Sequence, residues 1–174
     1  MTVVMEKFMI SESVKADIER WLKKYPPDQK QSAIVIALLL VQKQNDGWLS
    51  RAAMDAVAEY LEVPNIVAYE AATFYDMYNL APIGRNKIGV CTNVPCMLRG
   101  SDEIVTCLKQ RLSVDFGETT KDGLFTLKEV ECMGACAGAP MCQINDQEYH
   151  EHLTTEKMLA IVESLANQGS THAK

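Results

Sequence analysis

The sequence predicts an α+β protein, with a helical bundle in residues 1–82 and a small sheet carrying packed helices in residues 83–174. Three observations predict it. In the first eighty positions apolar residues recur at spacings of three and four, the signature of one helix face. From Lys87 onward short β-like runs, KIGVC and MCQIN, alternate with helical segments. Between the two textures, Leu80–Asn86 carries Pro82 and Gly84, residues that break regular structure.

The elements follow in order. SVKADIERWLKKY sets Val14, Ile18, Trp21, Leu22 and Tyr25 on one face, and Pro26-Pro27 stops it. A second helix is expected from Asp28 to Gln44, ending at Asn45-Asp46-Gly47. It contains the longest apolar run, Ala33 to Val41, whose nine residues fall short of the roughly 20 needed to span a bilayer. Ser50 offers an N-cap for a third helix that halts before Pro64. A fourth is expected over Asn65–Leu80. In the second half KIGVC reads as a strand, and GSDEIVTCLKQRL as an amphipathic helix with Ser101 as its cap. Asp122-Gly123 signals a hairpin turn between Glu118–Thr120 and Leu124–Leu127. MCQIN is a further strand and TTEKMLAIVESL a closing helix, giving the order β-α-β-β-α.

Composition narrows the function. With 48% hydrophobic and 23% charged residues the chain is globular. A formal charge of −6 argues against a nucleic-acid surface. The stretch AMDAVAEYLEVPNIVAYEAATFY has the look of a helix-turn-helix, but Ser50–Leu80 holds one base, Arg51, against five acids, Asp55, Glu59, Glu62, Glu70 and Asp76. Phosphates would be repelled. The tyrosine-rich, acidic surface suits a protein partner instead, with Phe74, Tyr75 and Tyr78 divided between core and interface. The first residues show neither an export signal nor a transit peptide, so a reducing, cytoplasmic setting is the expectation. Six cysteines in that setting point to metal or redox work rather than to disulfides.

Cys91 and Cys96 form C-x4-C, and Cys132 and Cys136 form C-x3-C, with 35 residues between the pairs. Each pair lies where a predicted strand gives out. Four thiolates in two local pairs suit a tetrahedral zinc site or a [2Fe–2S] cluster with one pair on each iron. Gly134 and Gly138 let backbone N–H groups approach sulfur, and zinc loops more often use C-x2-C; both points favour the cluster. Thiol–disulfide exchange would need a C-x-x-C pair that is absent here. His150, His152 and His172 lie away from the cysteine loops, which disfavours a cluster with two His ligands, and the first two read as exposed loop residues. Cys107 shares a helical face with Ile104, Leu108 and Leu112, and Cys142 alternates with Ile144, so both read as buried thiols. Arg99 either moderates charge at the site or is a solvated surface residue.

The motifs CTNVPCMLRGSDEI and CMGACAGAPMCQIN, with AYEAATFY upstream, resemble the small [2Fe–2S] component of NADH:quinone oxidoreductase, the 24-kDa or E-subunit family of respiratory complex I. The resemblance covers roughly Ser32 to Leu165. It implies a thioredoxin-like [2Fe–2S] ferredoxin domain after a helical bundle, with one [2Fe–2S] cluster on Cys91, Cys96, Cys132 and Cys136. It also implies a larger partner subunit holding FMN, the NADH site and a [4Fe–4S] cluster, within a peripheral arm that meets the membrane only through other subunits. This chain has no dinucleotide fingerprint of its own. Similar subunits serve NAD-linked hydrogenases and formate dehydrogenases as diaphorase components, and a zinc-stabilised interaction module is the alternative of another class.

Overall fold

A computed structural model describes residues 7–169. Residues 1–6, part of the stretch read for export signals, and His172 lie outside them. The chain divides into two compact units that meet in sequence at Pro82–Ile83.

The first unit is helical. Helix α1 spans Glu12–Leu22; its cap is Ser11, whose hydroxyl accepts from the Val14 amide at 3.4 Å. The second predicted helix opens instead as a 3-10 turn, Lys30–Ala33, and becomes the α-helix α2 only over Ile34–Gln44. Ala33, Ile34, Ala37, Leu38 and Val41 of the apolar run are buried. Helix α3 spans Arg51–Leu61, and Ser50 caps it by accepting from the Ala53 amide at 3.1 Å. Glu62 closes that helix in the left-handed region at φ 58°, just ahead of Pro64. Val57, Ala58 and Leu61 join Ile18 and Leu38 in the core.

Helix α4, Asn65–Phe74, stops six residues before the predicted Leu80. Tyr75 is extended, with ψ 129°, and the chain after it is held by side chains rather than by helical bonds. The buried Gln42 donates to the Met77 carbonyl at 3.0 Å and accepts from the Asn79 amide at 2.8 Å. The Tyr78 hydroxyl donates to the Val35 carbonyl at 2.7 Å. A continued helix would forgo these contacts and the burial of Tyr78, 5% exposed.

The second unit is built on a four-stranded sheet ordered β2-β1-β3-β4. Strand β1, Asn86–Cys91, is buried along its length and runs parallel to β2, Phe125–Val130. On its other side it runs antiparallel to β3, Cys142–Ile144, which pairs antiparallel with β4, Glu148–His150. Strand β4 is not among the elements the sequence predicts: a lone tyrosine between a glutamate and a histidine carries no apolar alternation. His150 therefore lies on a strand and is half-buried, while His152 is exposed as expected.

Between β1 and β2 come α5, Val94–Met97, and α6, Ser101–Leu112; α7, Thr155–Gly169, ends the described chain. Ile104, Leu108, Leu112, Met158 and Val162 from the two long helices pack on Ile88, Val90, Phe125, Leu127, Cys142 and Ile144. These strand residues alternate, so one sheet face is dry. Ser101 does not cap α6: Gly100, at φ +95°, precedes the helix, and the buried Ser101 hydroxyl has no hydrogen-bond partner. The Asp122-Gly123 turn is present. The Gly123 amide donates to the Thr120 carbonyl at 2.8 Å, and Thr119 bridges Thr126 across it.

Candidate metal centre

Strand order brings the two cysteine pairs together. Because β1 and β2 are parallel neighbours with Cys91 opposite Val130, both strands release their loops at the same end of the sheet. The first loop leaves β1 at Cys91 and turns at once into α5. The Asn93 carbonyl accepts from the amides of Cys96 at 2.9 Å and Met97 at 3.0 Å. Pro95 fits there because a first helical turn needs no amide from it. One turn of helix thus carries Cys96 back toward Cys91. Both are buried, 1% and 3% exposed, in a small apolar nest with Ala139 and Met141.

The second loop leaves β2 after Val130. Gly134 sits at φ +75°, a conformation that favours glycine, and Cys136 opens a 3-10 turn that ends at Gly138. A Cβ on Gly138 would collide with the Glu151 side chain. A cis Ala139–Pro140 bond then leads into β3. Cys132 and Cys136 are exposed.

Side chains stitch these loops to one another. The Cys91 thiol donates to the Glu131 carbonyl at 3.1 Å, and the Thr92 hydroxyl donates to Glu129 Oε1 at 2.8 Å. Asn93 Nδ2 reaches Glu131 Oε2 at 3.4 Å, and the Tyr149 hydroxyl donates to the Met133 carbonyl at 3.1 Å.

The thiols affect one another's ionisation. Burial pushes Cys96 up to about 11, reinforced by the hydrogen bond and charge of Cys91, while the Met141 main chain favours its thiolate. Cys136 is also pushed up, by desolvation and then by Cys132. The charge of Cys91 reaches Cys136, and that of Cys136 reaches Cys96, so the four sulfurs share one neighbourhood. Like charges that oppose ionisation are what a bound cation relieves.

The four residues singled out from spacing are therefore brought together, as two close pairs. Among the described residues, no three His, Cys, Asp or Glu side chains converge on a point where one ion would sit. The all-sulfur donor set in pairs fits a two-iron cluster, in which each iron takes two thiolates; a mononuclear tetrahedral site would need all four around one centre.

The other two cysteines are elsewhere. Cys142 is fully buried against Met158, Sγ to Sδ 3.8 Å, and burial pushes its thiol up to about 12. Cys107 is half-buried rather than buried, because it flanks the Ile104–Leu108–Leu112 stripe instead of lying on it. Arg99 is exposed, as is Phe74 at 78%, while Tyr78 is in the core. Thr92, Asn93 and Tyr149, which hold the loops, are not singled out by sequence reasoning. Thr92 and Asn93 lie within two residues of a cysteine, which is a usable signal; Tyr149 carries none.

Residues 18–166 match the family model described as thioredoxin-like [2Fe–2S] ferredoxin. The E subunit of NADH-quinone oxidoreductase from Rickettsia bellii is 54% identical over 146 residues, 84% of this chain and 87% of that protein. Its counterpart in Rickettsia typhi is 51% identical over 149 residues, 86% of this chain and 87% of that protein. The mitochondrial NADH dehydrogenase [ubiquinone] flavoprotein 2 of Dictyostelium discoideum is 47% identical, with 88% of this chain covering 62% of that one. Among solved structures, NAD+-reducing [NiFe]-hydrogenase in the air-oxidized state is similar in fold, with TM-score 0.68 and 20% identity. That match covers 83% of this chain and about a quarter (24%) of the hydrogenase chain.

Proposed function

From the premise that this chain belongs to the thioredoxin-like [2Fe–2S] ferredoxin family, we propose that Cys91 and Cys96 hold one iron and Cys132 and Cys136 the other. The chain is an E-type electron-transfer subunit of NADH-quinone oxidoreductase. The observation that carries the ligand assignment is the delivery of two thiol pairs to one end of the sheet by parallel β1 and β2.

When bound, a [2Fe–2S] cluster supplies a one-electron redox centre. The chain's own residues supply the rest. The Cys91–Cys96 pair is held dry in its nest, and the exposed Cys132–Cys136 pair faces outward. Glu129 and Glu131 accept from Thr92 and Asn93, the two residues that follow Cys91, and so tie the first loop to the end of β2 and the start of the second loop. NADH yields a hydride, so a flavin on a partner must separate the two electrons. We assign that FMN, with the NADH site and a [4Fe–4S] cluster, to a larger partner subunit. Among the described residues no helix is long and apolar enough to cross a membrane; attachment runs through partner subunits in a peripheral arm on the cytoplasmic side. The domains are residues 1–82 and 83–174.

The diaphorase reading for a hydrogenase or formate dehydrogenase receives less support. Relatives at 47–54% identity bear the respiratory name, whereas the hydrogenase likeness, at 20% identity, speaks for the fold alone.

The test is low-temperature EPR on anaerobically purified, dithionite-reduced protein, with iron counted on the same sample. A spin-half signal with about two irons per chain is expected. Serine at Cys91, Cys96, Cys132 or Cys136 should lose or distort the signal, and Cys107→Ser should keep it. Zinc without iron, or equal iron loss in Cys107→Ser, refutes the assignment.

A further inference from the structure

The second cysteine loop lacks regular structure from Glu131 to Ala135 and is exposed except at Met133 and Ala135, which pack on the Cys91–Cys96 nest, yet it must hold Cys132 and Cys136 in register with Cys91 and Cys96. Two hydrogen bonds reach its main chain from outside: Cys91 Sγ to the Glu131 carbonyl at 3.1 Å, and Tyr149 Oη to the Met133 carbonyl at 3.1 Å. The first comes from one of the assigned ligands itself, whereas the second comes from a residue outside the ligand set.

Tyr149 is well placed to hold the loop. It sits mid-strand in β4 opposite Gln143 of β3, and Gln143 lies opposite Gly89 of β1, two residues before Cys91. A continuous ladder therefore runs from Gly89, two residues before the first ligand, across three strands to the phenol and on to the residue after Cys132. Resting on the ligand assignment above, the geometry points to Tyr149 as a positioning residue of the cluster: its hydroxyl fixes the second cysteine loop, and hence the spacing of the two thiolate pairs.

The test is Tyr149→Phe in the full chain, with Tyr60→Phe as control, because Tyr60 Oη donates to Glu19 within the helical unit. Iron per chain, the g-values of the reduced signal, the midpoint potential and the rate of iron release to a chelator are measured on each. Tyr149→Phe should retain about two irons but show altered g-anisotropy, a shifted potential and iron release about fivefold faster, the equivalent of one hydrogen bond at about 1 kcal/mol. Tyr60→Phe should match wild type in all four. A Tyr149→Phe protein whose g-values, potential and release rate all match wild type overturns the inference, even if its melting temperature falls, since that would be a purely structural role. Failure of the wild type to show a two-iron signal would refute the ligand assignment instead.

Discussion

The division of the six cysteines can be tested by alkylation, and the largest effect belongs to Cys142. Its thiol is fully buried and held at about 12, against an ordinary 9.0, by burial first and then by the Glu148 charge. At pH 8 its thiolate fraction is about 10⁻⁴, compared with about 10⁻¹ in the unfolded chain, a thousandfold difference. A more basic thiolate is also a better nucleophile, with β of about 0.4–0.5, which leaves a native-state deficit of about 30- to 60-fold. Lack of access slows the reaction further. The assay is iodoacetamide at pH 8 under anaerobic conditions, with site-by-site mass spectrometry of the iron-loaded, iron-stripped and urea-unfolded protein. In the loaded protein the half-buried Cys107 should be the site labelled. Stripping iron should add the exposed Cys132 and Cys136 promptly and the buried Cys91 and Cys96 slowly, while Cys142 waits for urea. Labelling of Cys142 in the folded protein within tenfold of its unfolded rate would refute the burial argument. Labelling of Cys132 or Cys136 with iron still bound would refute their role as ligands.

Two further outcomes concern the scaffold. Burial raises the Tyr78 phenol above its ordinary 10.0. Its contribution to stability is therefore whole below pH 10 and is lost as pH rises through the higher folded value. Urea unfolding monitored by circular dichroism should show a steeper loss between pH 9 and 11 in wild type than in Tyr78→Phe, and parallel curves would refute the shift. Gly84→Ala should destabilise by about 1–3 kcal/mol, because its Cβ would stand 2.8 Å from the Phe125 carbonyl carbon and 2.9 Å from its nitrogen. These are backbone atoms that cannot swing aside; an unchanged urea midpoint would show that the strand does yield.

Much of this protein is legible residue by residue, because the signals are local. Ser50 caps its helix through a hydroxyl three residues from the amide it serves. Asp122-Gly123 marks its turn, and the apolar stripe of Ile104, Leu108 and Leu112 marks the face that α6 buries. The cysteine spacings mark two local pairs, and the alternation of Cys142 with Ile144 marks the thiol that the structure buries. What the tertiary structure decided lies where partners are remote in sequence. Helix α4 stops at Phe74 because Gln42 and Val35, more than thirty residues upstream, claim the polar groups of Met77, Tyr78 and Asn79. Ser101 is not a cap because Gly100 already turns the chain into the helix. Strand β4 exists because β3 offers it an edge, not because of its own pattern. The proposed centre depends on parallel pairing: spacing places two cysteines in each loop, but only adjacency of β1 and β2 delivers both loops to one end of the sheet. Tyr149 then reaches the second loop across the sheet, through a contact sixteen residues apart that no period or spacing in the chain encodes.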